Sequence, residues 1–266
     1  MPIKIFKQFF FVFLAVEAIF AAPVNNPASA RSLEKGFFFS GKWFSFRLGY
    51  EGDFILDRRL KEKGAHRIED FSQNCNSGFL VLNLLNRLDL YGVMGEAKYE
   101  ADWILKESSS NFGRLEMETR YNWKWAVGGK AIFFEWGDVT LAFGGRYAKT
   151  EPRLSWLSYS SAEYSLYKPG QAVCSFVEWQ VDGEISYKID FFIPYVAMKY
   201  SRAYVDLKAP EITVSSFGLD EIKMRSRDFY GAACGCGFCE GKYFQLNAEV
   251  RLFDEEAFTV TGEFRF

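Results

Sequence analysis

From residue 43 onward, apolar and polar residues alternate along the chain with a period of two. Along residues 244–252, every second residue is apolar, and the residues between them are Gln245, Asn247, Glu249 and Arg251. Because successive side chains of a β-strand point to opposite faces, this pattern predicts strands with one apolar face and one polar face. Ten such strands are predicted, at 43–57, 78–85, 88–105, 118–134, 138–149, 176–188, 192–207, 226–237, 242–253 and 258–266.

The lengths of these strands argue against a soluble β-sandwich, which alternation alone would also allow. Sandwich strands usually have about 5 to 6 residues, whereas the segments 43–57 and 88–105 are far longer. A tilted strand needs about 9 to 11 residues to cross a bilayer. The lengths therefore favour a sheet that spans a membrane.

The links between the predicted strands alternate between long and short. The long links are 58–77, 106–117, 150–175 and 208–225, and the short ones are 86–87, 135–137, 189–191 and 238–241. Outer-membrane barrels have short periplasmic turns and longer outer loops, and only the link 254–257 is a short one on the outer side. The sequence thus predicts an all-β fold, a transmembrane antiparallel β-barrel of about ten strands in the outer membrane. A barrel of twelve strands is the alternative, because residues 154–167 could form a further hairpin.

The N-terminus has the features of an export signal. Lys4 and Lys7 precede an apolar run that ends at the small residues Ala21 and Ala22. A membrane anchor is the rival interpretation, but the run is short and Glu17 interrupts it. We therefore expect a signal peptide at 1–22, cleaved between 21 and 30, then a periplasmic segment at 23–42 and the barrel at 43–266.

The composition agrees with a barrel that has lipid outside and polar groups inside. Aromatic residues make up 19% of the 266 residues, the net charge is −2 and the mean hydropathy is only −0.11. A barrel strand presents one face to lipid and the other to a polar lumen, which requires this balance. The charge gives no reason to expect nucleic-acid binding, and the expected partners are the lipid bilayer and small solutes or ions.

The charged residues on the predicted polar faces are candidates for lining a pore. They are Arg47, Glu51, Lys124, Lys130, Arg146, Glu178, Asp182, Glu184, Glu249, Arg251, Glu263 and Arg265. The same pattern also assigns to the lumen Glu96, Lys98, Glu100, Asp102 and Lys188. Together these are eight bases and nine acids, which predicts a closely paired interior with little ion selectivity. Barrels of 8 strands are filled by side chains and those of 16 to 18 leave a channel, so a narrow pore and a salt-bridged plug both remain open.

Several segments resemble the chlamydial major outer membrane protein family, in matching order along the chain. They are Phe46–Arg58, Leu82–Leu90, Glu178–Val181, Ser186–Lys188, Lys199–Ala203, Ala248–Leu252 and Phe264–Phe266. The chain is shorter than typical members of that family. The resemblance implies a narrow porin with a structural role in a disulfide-linked cell envelope. A structural or adhesin-like barrel that does not conduct is the alternative.

Five cysteines in an exported chain meet an oxidising compartment, and their odd number leaves at least one unpaired within the chain. Cys234, Cys236 and Cys239 lie close together, where a zinc site, free or locally paired thiols, and a bond to another molecule are the alternatives. A closed zinc site needs four ligands, and no histidine is near. Cys239 is expected in a turn, as the most accessible of the three. The resemblance implies a bond from this group to a cysteine-rich envelope protein or a second copy, and Cys75 and Cys174, expected in outer loops, are candidates for pairing with each other.

No enzyme activity or cofactor is predicted. His66 is the single histidine and lies in the first predicted outer loop, where a solvated side chain is far commoner than a catalytic base.

The last predicted strand ends at Phe266, a terminus typical of outer-membrane barrels, so we expect Phe266 to matter for closing the barrel and for the barrel-assembly machinery.

Overall fold

The computed structural model describes residues 43–62, 67–106, 112–159, 173–208, 221–240 and 243–266. The predicted signal peptide, the periplasmic segment and His66 lie outside these residues. Within the described residues, no helix is long and apolar enough to cross a membrane. The strands are β1 Phe44–Arg58, β2 Leu60–Glu62, β3 Arg67–Leu84, β4 Leu88–Lys106, β5 Phe112–Thr119, β6 Asn122–Trp136, β7 Val139–Thr150, β8 Leu154–Tyr159, β9 Val173–Tyr187, β10 Phe192–Lys208, β11 Glu221–Ser226, β12 Tyr230–Glu240, β13 Phe244–Leu252 and β14 Glu255–Arg265.

Ten of these strands form one closed antiparallel ring. Their order is β1–β3–β4–β6–β7–β9–β10–β12–β13–β14, and β14 pairs with β1 to close it. The backbone N–H of Phe266 donates to the carbonyl of Phe46 at 2.9 Å, which extends this closing pair to the last residue. The predicted ten-stranded barrel is therefore confirmed.

The other four strands extend the wall at one end of the barrel. β5 pairs with β4 and β8, and β11 pairs with β10 and β2. Residues 154–159, considered above as part of a further hairpin, form β8, which lies outside the ring of ten. The wall is consequently tallest along β3–β4 and β9–β10 and lowest along β13 and β14.

The two ends of the barrel differ in their connections, as predicted. The inner end has the short links 85–87, 137–138 and 188–191, whereas the outer end has the long ones, apart from the short link 253–254 between β13 and β14. Leu85 and Asn86 have positive φ angles of 57° and 54°, the backbone conformation that a tight antiparallel hairpin with right-handed twist requires. At the inner end, Trp136 is exposed on the outside of the wall, as is typical of the aromatic belts that outer-membrane barrels carry at the membrane–water interfaces.

Three strands begin earlier than the sequence predicted. β3 starts at Arg67 rather than at 78, β9 at Val173 rather than at 176, and β14 at Glu255 rather than at 258. Residues 67–77 were interpreted as a loop because their outward positions, among them Ser72, Asn74 and Asn76, are polar. On β4 the outward residues opposite them, Glu96, Lys98 and Glu100, are charged, so we infer that this side of the wall meets water, although Phe54 on β1 is still apolar beside Asn74.

Candidate functional site

The barrel interior contains all twelve of the charged residues proposed to line a pore. None of them is more than 8% exposed. They alternate along their strands with outward apolar residues, as in β13, where buried Gln245, Asn247 and Glu249 alternate with exposed Leu246. The period of two places each of them on the inner face.

Ion pairs connect strands that are distant in the ring. The guanidinium of Arg146 on β7 donates to both carboxylate oxygens of Glu51 on β1, at 2.7 and 2.8 Å. On β6, the ammonium of Lys130 lies 2.6 Å from a carboxylate oxygen of Glu184 on β9. A bidentate arginine–carboxylate pair is among the strongest side-chain interactions available inside a protein.

Glu255 at the start of β14 is the centre of the largest cluster of charges. Its carboxylate pairs with Arg58, with Lys199 and, at 2.7 Å, with Nε of Arg251. Arg251 also pairs with Asp53 at 2.6 Å. The sequence did not predict Glu255 as an interior residue because it falls within the link expected at 254–257.

The remaining candidates join the same polar interior. Arg47 pairs with Asp89 and lies 3.6 Å from Glu263. Further contacts are the hydrogen bonds from Gln180 to Asp182 at 3.1 Å, from Tyr195 to Glu249 at 2.7 Å and from Arg265 to Asn86 at 3.0 Å. The ammonium of Lys124 is buried without a hydrogen-bond partner among the described residues. We call these buried charged residues and their partners the ion network.

One ion pair crosses the full width of the lumen. Arg58 on β1 pairs with Glu178 on β9, and these strands are five steps apart in either direction around the ring of ten. The guanidinium carbon of Arg58 also lies 5.7 Å from the ring centre of Phe176. These three side chains form the junction between the ion network and the apolar residues above it.

Toward the outer end, the interior is apolar rather than polar. We call this cluster the outer core: Leu60, Phe71, Cys75, Ala97, Tyr99, Ala101, Trp103, Leu115, Met117, Leu154, Cys174, Phe176, Ala203, Val205, Leu207 and Met224. At its centre, the ring of Phe176 lies 4.9 Å from that of Tyr99 and 5.9 Å from that of Phe71. Residues from the extension strands β2, β5, β8 and β11 contribute to it, so the added strands help to form the apolar interior at this end of the barrel.

Five residues assigned to the lumen by the sequence pattern lie elsewhere. Glu96, Lys98, Glu100 and Asp102 are on the outward face of β4, where Lys98 pairs with Glu100 and Glu118. Lys188 is half-buried in the link after β9. The prediction failed on β4 because the outward face becomes polar from Glu96 onward, whereas the inner face is already apolar at Val93 and stays so to Trp103.

The cysteines are arranged differently from the prediction. Cys75 and Cys174 lie on β3 and β9, buried in the outer core, and not in outer loops. Cys239 is a buried residue of β12 packed with Ile193, whereas Cys234 is exposed on the outward face of that strand. No disulfide bond joins any two of these five cysteines, and the described residues contain no group of three or more side chains able to hold a metal ion.

The interior is filled by side chains along its length. Glu51 and Arg251 have no exposed surface, Arg146 is 1% exposed and Trp103 in the outer core has none. A lumen continuous with water would leave such side chains accessible, as in barrels of 16 to 18 strands. Ten strands enclose a space that these large side chains can occupy completely.

Chlamydial outer-membrane porins are similar to this chain along almost its whole length. The major outer membrane porin of Chlamydia pneumoniae is 24% identical over 378 aligned positions, covering 95% of this chain and 96% of that protein. The serovar L1 porin of Chlamydia trachomatis is 23% identical over 376 positions, covering 92% and 95%. This chain is a homologue of the chlamydial major outer membrane porins. No protein-family model matches it.

This homology places the protein in the outer membrane, where the outer face of its barrel contacts the lipid bilayer. The aligned regions are longer than its 266 residues, so the porins carry segments that it lacks. Among solved structures, the outer membrane protein OprG of Pseudomonas aeruginosa has a TM-score of 0.40 at 9% identity, covering 85% of this chain and 98% of that one. An outer membrane channel of Pseudomonas putida F1 has a TM-score of 0.43 at 10% identity, covering 87% and 99%.

Proposed function

We propose that this protein is a structural barrel of the outer membrane whose lumen is closed to solutes at rest. The observation that carries the proposal is the pair Arg58–Glu178, which bridges opposite strands directly beneath the outer core. Two different kinds of barrier therefore follow one another along the lumen. Ions meet an apolar core that gives them no hydration, and apolar solutes meet the ion network.

The second candidate is a narrow porin for small solutes or ions. The names of its chlamydial relatives favour it. Conduction would require the outer-core side chains of β3, β4 and β9 to move apart from one another and the pair Arg58–Glu178 to break. In that state, nearly equal numbers of inward acids and bases would give little ion selectivity.

Electrical recording in planar lipid bilayers distinguishes the two candidates. We expect no conductance steps from the refolded wild-type protein. The triple variant Arg58→Ala/Phe176→Ala/Glu178→Ala removes the junction and is expected to conduct. The matched control Asp102→Ala/Arg114→Ala removes an ion pair from the outer surface and is expected to remain silent. Steady conductance steps from the wild type would favour the narrow porin.

A disulfide-linked role in the envelope remains a proposal, with Cys234 as the thiol concerned. Cys234 pairs across the sheet with Val196 and Val250, in the apolar outward part of the wall. A thiol at that height is shielded by lipid from soluble envelope proteins, so we expect its partner to be another membrane-embedded chain. Electrophoresis without reductant should show a higher-mass species that Cys234→Ser removes and Cys174→Ser retains. A single monomer band with and without reductant would contradict the proposal.

The role of Phe266 in assembly also remains a proposal. Its backbone hydrogen bond to Phe46 supports a contribution to closing the ring. We expect its deletion to slow insertion by the barrel-assembly machinery, measured as the fraction of protein that shifts on gels when heated. If deleting Phe266 does not change that fraction, Phe266 has no role in assembly.

A further inference from the structure

The outward side chains of β10 locate the outer surface of the bilayer. Toward the outer end they are Val196, Met198, Tyr200 and Arg202, a change from apolar to aromatic to charged. Trp179 pairs across the sheet with Arg202, and aromatic residues of this kind are enriched at membrane–water interfaces. Arg202 is therefore at the depth of the lipid headgroups.

Aromatic rings hold Arg202 in place. Its guanidinium carbon lies 4.7 Å from the ring centre of Phe229 and 5.7 Å from those of Trp179 and Tyr200. Its Nε donates a hydrogen bond to the hydroxyl of Tyr200 at 3.0 Å. Cation–π contacts orient the guanidinium without neutralising its charge. Among the described residues, no carboxylate lies within ion-pairing distance of Arg202.

Two further cations share this outward surface. Arg225 on β11 pairs across the sheet with Tyr204 on one side and with Lys61 on the other, so the three side chains lie on one face. The ammonium of Lys61 lies 5.7 Å from the ring centre of Phe229, the ring that Arg202 also contacts. In the part of the chain that the structure describes, neither Lys61 nor Arg225 forms an ion pair. Three like charges that form no ion pair with the described residues repel one another unless an anion binds between them.

An apolar groove lies on the membrane side of these cations. It has a volume of about 530 Å³ and is lined by the outward residues Ile185, Val196, Met198, Ala232, Cys234 and Leu252. Val196 and Met198 belong to the same outward row of β10 as Arg202. The cations and the groove are therefore stacked along one line from the headgroup region into the hydrocarbon.

We propose that Lys61, Arg202 and Arg225 bind the phosphate of an anionic lipid in the outer leaflet, with one acyl chain in the groove below. Arginine presents a planar fork of donors that matches phosphate oxygens, and lysine adds a mobile point charge. The groove is what selects a lipid over a soluble anion, because only a lipid fills both parts of the site.

Lipid retention measured by native mass spectrometry tests this site, with protein purified from the outer membrane of a host expressing the full chain. The probes are phosphatidic acid and diacylglycerol with identical acyl chains, which differ only in the phosphate. We expect preferential retention of phosphatidic acid, weakened about tenfold by Arg202→Gln or Arg225→Gln. Arg202→Lys should recover part of it. Ala232→Trp, which fills the groove and changes no charge, should also weaken retention.

Arg114→Gln is the matched control, because Arg114 is exposed at the same end of the barrel but paired with Asp102 and Glu116. It should leave retention unchanged. Equal retention of the two lipids, or equal losses in Arg114→Gln and Arg202→Gln, would overturn the proposal. Displacement of phosphatidic acid by heparin, with no effect of Ala232→Trp, would assign the cations to a soluble polyanion instead.

Discussion

The wall of the barrel has two parts that place polar and apolar residues on opposite faces. On the inner part of β4, Leu90 and Met94 face outward and Asp89 is buried inside. On the outer part of the same strand, Lys98 and Glu100 face outward and Tyr99 is buried inside. The strand keeps its period of two throughout, and what changes is the surrounding medium, from lipid to water.

This inversion explains why the two parts of the interior differ in composition. Where lipid covers the outside, most apolar residues face it, and the interior holds the charges of the ion network beside one small apolar cluster around Phe79, Val81 and Val93. Where water surrounds the barrel, the outward residues are polar, and the inward residues pack as in the core of a soluble protein. One barrel thus contains two cores of opposite chemistry, stacked along its axis.

The largest expected effect concerns a charge inside the inner part. Glu51→Gln leaves Arg146 buried without its carboxylate, and we expect a loss of about 3 to 5 kcal/mol in the free energy of unfolding. The matched control is Glu100→Gln on the outer surface, which should cost within about 0.5 kcal/mol. Urea titration of the protein in lipid vesicles measures both. Equal costs would mean that the ion network does not hold the inner part together.

A second comparison places the same charge at two outward positions. Phe143→Arg puts a guanidinium against the middle of the bilayer and should cost about 2 to 4 kcal/mol. Ser72→Arg puts it beyond the bilayer, opposite Glu100 on the next strand, and should change the free energy of unfolding by less than about 0.5 kcal/mol. A similar cost at both positions would place Ser72 in lipid and refute the inversion.

A smaller effect distinguishes the thiols of the two parts. Cys174→Ser buries a hydroxyl in the outer core and should cost about 1 to 3 kcal/mol. Cys234→Ser exchanges an outward side chain and should cost less. In the folded wild type, a membrane-permeant maleimide should modify Cys234 well before Cys174, which mass spectrometry of the digested protein can follow. Rapid modification of Cys174 would show that the outer core is open.

The sequence predicted the inner part of the barrel well because one rule holds at most positions there, with the inward Phe79 and Val81 as exceptions. The ring of ten strands, the short inner links and the twelve buried candidates all follow from apolar residues facing outward. Residues 67–77 and the outward charges of β4 were misassigned, because that rule reverses where the wall leaves the bilayer. A pattern of alternation does not indicate which medium lies outside.

The partners within the ion network were beyond prediction for a different reason. Arg58 meets Glu178 across the lumen, and Glu255 meets Lys199 from a strand three steps away around the ring. These contacts depend on the closure, tilt and width of the barrel, which no local pattern encodes. The outer core likewise assembles from strands far apart in the chain, including four that do not belong to the ring.

The depth of β4 in the bilayer tests the inversion most directly. Nitroxide labels are introduced one at a time at Leu90, Met94, Lys98 and Glu100 in a Cys234→Ser/Cys236→Ser background, which removes both thiols that are not buried, and the protein is placed in vesicles. Collision rates with oxygen, which concentrates in lipid, and with a nickel chelate, which stays in water, are then compared. We expect oxygen to dominate at Leu90 and Met94 and the nickel chelate to dominate at Lys98 and Glu100. Oxygen dominating at all four positions, or neither reagent reaching Lys98 and Glu100, would contradict the inversion.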